Sequence, residues 1–182
     1  PVIGSKGVSQ TTSEVMISMT FAKHLEKNII SALHGAHPYE EVAFEITTLD
    51  NKNQHIGMGM IAELENPMSE DAFLMYLKEK MNTDCIRHSK KTNKPIKKVA
   101  VLGGSGSFAI NDAIAQGADV YVTSDLKYHD FYTAENKILL ADIGHYESEQ
   151  YTKELLHTYL TKKITNFAVV LSQINTNPIS YF

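Results

Sequence analysis

His145 and Glu149 stand four residues apart in Gly144-His145-Tyr146-Glu147-Ser148-Glu149, a spacing that puts both side chains on one face of a helix. An imidazole and a carboxylate on one face are a common pair of ligands for Zn2+, Mn2+ or Fe2+. Two donors do not complete a coordination sphere, so further ligands must come from elsewhere. The competing reading is an ordinary helix start, where Glu147 or Glu149 favours the positive end of the helix dipole. Upstream, Ser124-Asp125-Leu126-Lys127-Tyr128-His129-Asp130 supplies Asp125, Lys127 and His129. These three can serve as acid, base or phosphate contact, or stand as solvated loop residues.

Other spacings have weaker claims. Gly104, Gly106 and Ala109 fit G-x-G-x-x-A after an apolar run, with Asp125 further on, the outline of a dinucleotide-binding turn. Equally, Gly103 and Gly104 need only allow a tight strand-to-helix turn. A Walker loop is excluded, because no Lys-Ser/Thr pair follows the glycines. His34-x-x-His37-x-x-Glu40 has metal-like spacing, but Pro38 forces His37 out of helical geometry. Cys85 has no Cys or His at finger spacing and reads as a buried, inert thiol.

Such groups need strand ends and helix starts to hold them, and periodicity supplies three zones. In the first, Glu14 to Phe21 alternates like a strand, Lys23 to Leu33 reads as a helix ended by Gly35 and Pro38, and Val42 to Thr47 reads as a second strand. Strand, helix and strand resemble half of a small α+β sandwich whose sheet edges need a partner. In the second, Gly57 to Leu64 is strand-like, and Ser69 caps a helix over 70–81 that buries Phe73, Leu74 and Leu77. Arg87 to Lys98, with five lysines, reads as a solvated basic loop.

The third zone alternates strands and helices. Strands are predicted at 98–102, 119–123, 138–142 and 167–172, with helices at 108–116, about 130–137, and through Leu155, Leu156 and Tyr159. That pattern means a parallel α/β layer. Ligands in such layers bind beyond the carboxyl ends of the strands, where the glycine loop, the 124–130 loop and 145–149 would gather.

Composition bounds the function classes. The chain has 182 residues, 43% hydrophobic and 21% charged, an ordinary globular balance. Apolar runs such as Phe167 to Leu171 fall far below the roughly 18–20 residues that span a bilayer. The net charge of −4 argues against a general nucleic-acid binder, and no aromatic residues interleave the basic run for base stacking. A single cysteine and no charged-then-apolar leader make a cytoplasmic location the expectation. Pro1 fits methionine removal or an internal cut.

Three ordered segments carry a resemblance. Val99-Ala100-Val101-Leu102-Gly103-Gly104-Ser105-Gly106, Gly117 through Asp130, and Asp142 through Glu149 resemble the Nif-three-like dinuclear-metal family, whose bacterial members bear the name GTP cyclohydrolase 1 type 2 homolog. His37-Pro38-Tyr39-Glu40-Glu41 and Gly57-Met58-Gly59 resemble the end of the small domain inserted in its longer members. The resemblance implies a three-layer α/β/α fold, its C-terminal half over 56–182, preceded over 1–55 by part of a ferredoxin-like α+β domain. It implies two divalent metals (Zn, Mn or Fe) per complete chain, with His145 and Glu149 as ligands. The remaining ligands, an adjacent His pair before a Pro and further His and Asp residues, fall in an N-terminal half that precedes these residues.

The implied activity is hydrolysis of a nucleotide, with Asp125, Lys127 and His129 as catalytic or substrate-contacting groups. The alternative is a metal-binding regulatory or interaction protein without catalysis. Self-association, as a ring-shaped hexamer, is also implied. One departure is Ser124, where the family usually has Gly; a left-handed backbone there would be strained.

Overall fold

The computed structural model describes residues 5–51 and 56–181. The chain divides into two units, Pro1–Lys52 and Asn53–Phe182. In the first, the regular elements among the described residues are a 3-10 turn, Lys23–Leu25, and helix α1, Glu26–Ala36. The strands expected at 14–21 and 42–47 do not form. Val15, Met16 and Ile17 are apolar but more than four-fifths exposed, and a strand without a neighbour has no ladder to satisfy its backbone. The helix also runs through Gly35; it stops at His37, whose extended backbone (ψ 136°) is what a following proline requires.

The second unit is a five-stranded sheet in the order β1-β3-β4-β5-β2. The strands are β1 (Met60–Met68), β2 (Arg87–His88), β3 (Ile96–Ser105), β4 (Val120–Ser124) and β5 (Leu139–Asp142). The three central strands run parallel, as the alternation predicted, while β1 and β2 close the edges antiparallel. Every residue of β4 and β5 is buried, because both faces of the sheet are covered.

One face packs Leu102, Tyr121, Leu126 and Leu140 against Ile110 and Ala113 of α3 (Ile110–Ala115). The other packs Val120, Val122, Leu139 and Ala141 against Phe73 and Leu77 of α2 (Glu70–Met81). Each of the Val, Leu, Ile and Phe side chains among them contributes about 1.5–3 kcal/mol through burial. Ser69 caps α2 as expected, accepting a hydrogen bond from the Ala72 amide at 3.2 Å.

Four local expectations need correcting. The basic stretch is not simply a solvated loop: β2 pairs with β5, and the buried Glu70 carboxylate accepts from the amides of Thr92 (2.7 Å) and Asn93 (3.0 Å). The helix at 130–137 is only a 3-10 turn, Asp130–Ala134, because Glu135 and Asn136 turn left-handed (φ 44° and 57°). Residues 167–172 form no strand; Phe167 and Val170 are 69% and 87% exposed and pair with no ladder. Cys85 is exposed rather than buried, lying between the end of α2 and β2. Two further helices, α4 (His145–Glu149) and α5 (Thr152–Lys163), follow β5. Among the described residues, no helix is long and apolar enough to cross a membrane.

Candidate metal-binding site

Parallel pairing brings the ends of three strands to one edge. Ser105 lies opposite Ser124 and Thr123 opposite Asp142, so the loops after β3, β4 and β5 leave the sheet together. Each carries one part of the site. After β5, Gly144 adopts φ 92° and starts α4 at once, which presents His145 and Glu149 one turn apart. The two side chains meet: His145 Nε2 lies 3.3 Å from Glu149 Oε2.

The loop after β4 reaches the other nitrogen. Asp125 Oδ2 lies 2.7 Å from His145 Nδ1. Asp125 makes this contact from a left-handed backbone with φ 57°, tolerated because its short side chain is Asp. The left-handed residue is thus Asp125 and not Ser124; Ser124 ends β4 and is fully buried, with an Oγ that has no hydrogen-bond partner among the described residues.

The glycine loop closes the third side. Gly104 has φ 71°, and a Cβ there would stand 2.6 Å from Glu149 Oε1. Its amide donates to Ser148 Oγ at 2.8 Å, while Thr123 Oγ1 donates to its carbonyl at 3.1 Å. The close approach that these glycines permit is thus used by the chain's own carboxylate. A pyrophosphate on this loop would meet that like charge, which weakens the dinucleotide reading.

Behind the site sits a group that the spacing arguments missed. Asp142 is 3% exposed, pairs with Arg87, and accepts hydrogen bonds from the amides of Leu126 (2.9 Å) and Gly144 (3.1 Å). One buried carboxylate therefore fixes both the Asp125 loop and the start of α4. Its signal in the sequence is an Asp closing the apolar run Ile138-Leu139-Leu140-Ala141, where a charge is costly unless partnered.

Other expected residues lie apart. Lys127 and His129 are exposed; His129 packs edge-on against Tyr128 (5.2 Å between ring centres), and the Lys127 amide donates to Asp130. Among the described residues neither is hydrogen-bonded or ion-paired to His145 or Glu149. His37 accepts from the Tyr39 amide, and His34 packs against Phe44, so the first unit's His-x-x-His spacing makes no cluster. Among the described residues, no group of three or more His, Cys, Asp or Glu side chains is arranged to hold a metal ion.

The pair nonetheless fits a metal. Two ligands at about 2.0–2.1 Å from a tetrahedral ion stand roughly 3.3–3.4 Å apart, the separation found between Nε2 and Oε2. A carboxylate on the opposite ring nitrogen is the usual way to orient a ligating imidazole.

The Asp125 carboxylate raises the pKa of His145 above its ordinary 6.5, chiefly through their hydrogen bond and with help from Glu149, against a smaller opposing effect of burial. The raised value means that the folded state favours the imidazolium. This contribution to stability is full at low pH and is lost as pH rises through the raised value. In the metal-free chain, an NMR titration of His145 should give a midpoint above 6.5, and Asp125→Asn should bring it down. An unchanged midpoint in that variant would mean that the contact does not persist in solution.

Comparison with known proteins agrees in order and extent. The sequence model of Duf34/NIF3 (NGG1p interacting factor 3) matches residues 5–178. A Bacillus subtilis protein named GTP cyclohydrolase 1 type 2 homolog is 35% identical over 193 residues, covering 100% of this chain and 50% of its own length. A Staphylococcus epidermidis protein of the same name is 34% identical over 185 residues, with the same coverage. The chain thus spans about half the length of the curated relatives it matches. Among solved structures, a Bacillus cereus protein related to NIF3 aligns with a TM-score of 0.71 and 34% identity, over 89% of this chain and 46% of that one. A Staphylococcus aureus protein aligns with a TM-score of 0.71 and 32% identity, over 91% and 55%.

Proposed function

The chain belongs to the Duf34/NIF3 family, and from that premise we propose that it carries half of a divalent-metal centre in a metal-dependent hydrolase acting on a nucleotide. The observation that carries this reading is His145 held between Asp125 and Glu149. Asp125 accepts a hydrogen bond from the Nδ1–H of the neutral imidazole, which leaves the Nε2 lone pair facing Glu149. His145 and Glu149 would then hold the metal. Zn, Mn and Fe all accept an imidazole and a carboxylate. We place the remaining ligands, and the second of two ions, in the further length that the relatives possess.

When bound, the metal supplies Lewis-acid polarisation of a substrate oxygen. This chain's own residues do the rest. Asp125 holds the imidazole in one tautomer, and the Gly104 loop keeps Glu149 against it. Lys127 offers an exposed ammonium to an anionic substrate, and His129, beside Tyr128, is placed on the same loop to exchange a proton. The nucleotide substrate rests on the name borne by the relatives. Self-association, as a hexamer, and a cytoplasmic location belong to the same proposal.

The test is divalent-metal binding by calorimetry. The chain should take up Zn2+ or Mn2+, and His145→Ala or Glu149→Gln should weaken uptake by at least about tenfold. Equal binding by wild type and His145→Ala would overturn the site. In the complete protein, metal-dependent nucleotide hydrolysis supports the enzyme reading. Metal retained without turnover favours the regulatory one.

A further inference from the structure

On α4, between His145 and Glu149, stands a side chain with both functions of its hydroxyl engaged. Ser148 Oγ donates to the His145 carbonyl at 2.8 Å and accepts from the Gly104 amide at 2.8 Å. A serine hydroxyl has one proton to give and lone pairs to receive with, so this single small group joins α4 to the glycine loop. The ladder between β3 and β4 is interrupted between Val101 and Ser105, and the buried Gly104 lies in the gap. A buried N–H left without an acceptor is costly, and Ser148 supplies the acceptor here.

α4 depends on such ties. It has 5 residues, little more than one turn, and a helix that short does not hold itself together. Asp142 fixes its start through the Gly144 amide, and Gln150 fixes its end, donating from Nε2 to the Met81 carbonyl at 2.6 Å. Neither of these ties involves the glycine loop. Yet that loop lies against both candidate ligands: a Cβ on Gly104 would stand 2.6 Å from Glu149 Oε1 and 3.6 Å from His145 Cε1. The hydroxyl of Ser148 sets how closely the loop and the helix approach.

We propose that Ser148 is a positioning residue of the metal centre: its hydroxyl latches the glycine loop to α4 and so holds His145 Nε2 and Glu149 Oε2 at a separation that one divalent ion can bridge. The proposal rests on the metal reading above, and adds that ligation depends on a side chain that is not itself a ligand. What the position requires is a small hydroxyl. Alanine removes both hydrogen bonds, whereas threonine keeps the donor and the acceptor.

Wild type, Ser148→Ala and Ser148→Thr, each as the whole chain, separate the outcomes. The readouts are Zn2+ uptake by calorimetry, hydrogen exchange of the Gly104 amide in the metal-free protein, and the midpoint of urea unfolding. Ser148→Ala should weaken uptake about tenfold, the lower end of the range for groups that orient a ligand. It should also speed exchange at Gly104, whose amide then opens more readily. Ser148→Thr should restore both. A merely structural role would lower the urea midpoint in Ser148→Ala and leave the Zn2+ affinity of the folded chain unchanged. That result, or a loss that threonine does not restore, overturns this proposal and leaves the metal site standing. No Zn2+ uptake by wild type overturns the metal reading itself, and the proposal with it.

Discussion

Asp142→Ala should destabilise the second unit by about 1–3 kcal/mol in urea unfolding, the scale for leaving a buried donor without its acceptor. The variant strips the partner from the amides of Leu126 and Gly144 and from the Arg87 guanidinium. Leu126 is itself 2% exposed, so water cannot replace what its amide loses. The Leu126 amide is the buried donor that loses its acceptor, and the half-buried Gly144 amide loses its own at the same time. The damage should also reach the surface. Asp125 precedes Leu126 and His145 follows Gly144, so the contact between them should loosen, visible as an altered His145 titration. A loss below about 1 kcal/mol would mean that the two loops hold their places without this carboxylate.

Gly104→Ala acts in the opposite way, with a small cost to the fold and a large one to the site. The residue sits at φ 71°, where an L side chain costs about 1–2 kcal/mol. Its Cβ would stand 2.6 Å from Glu149 Oε1. That oxygen is the far end of a flexible, half-exposed side chain, so it swings away rather than unfolding the loop. Metal uptake should fall by about 10–100-fold, the range for disturbing the groups that position a ligand. Gly103→Ala is the control: its Cβ would meet the Ser148 carbonyl at 3.4 Å and Glu149 Cγ at 3.7 Å, ordinary contacts, and its φ is not left-handed. Equal losses in the two variants would remove the close-approach argument.

Much of the second unit was legible in its residues. The Ser69 cap and the Phe73, Leu74 and Leu77 spacing marked α2 to the residue, because capping and helical periodicity are local signals. The central strands β3, β4 and β5 were found within two to three residues at each end for the same reason: short β-branched runs between glycines and polar loops have few other solutions. Strand formation in the first unit was misread because alternation is only half of what a strand requires. Val15 to Met19 has the pattern but no neighbour among the described residues to bond with. The failure at 167–172 has the same origin. The two-residue strand β2 was missed for the converse reason: Arg87-His88 has no apolar pattern, and its pairing with Asp142 and Ala141 exists only in three dimensions.

By itself the sequence determined which residues could do chemistry and in what order. His145 and Glu149 share a helix face because four residues make nearly one turn, and three segments of matching order sufficed for the family. Tertiary structure alone decided the rest. Parallel pairing set the ends of β3, β4 and β5 side by side, so Asp125 reached His145 across twenty residues of chain and Gly104 met Glu149. It also turned Glu147 inward, where Asn177 donates to it, while His145 and Glu149 on the same helix stay half exposed. Local spacing fixes direction along a helix; only the packing of strands fixes which distant groups share an edge and which charges lose their water.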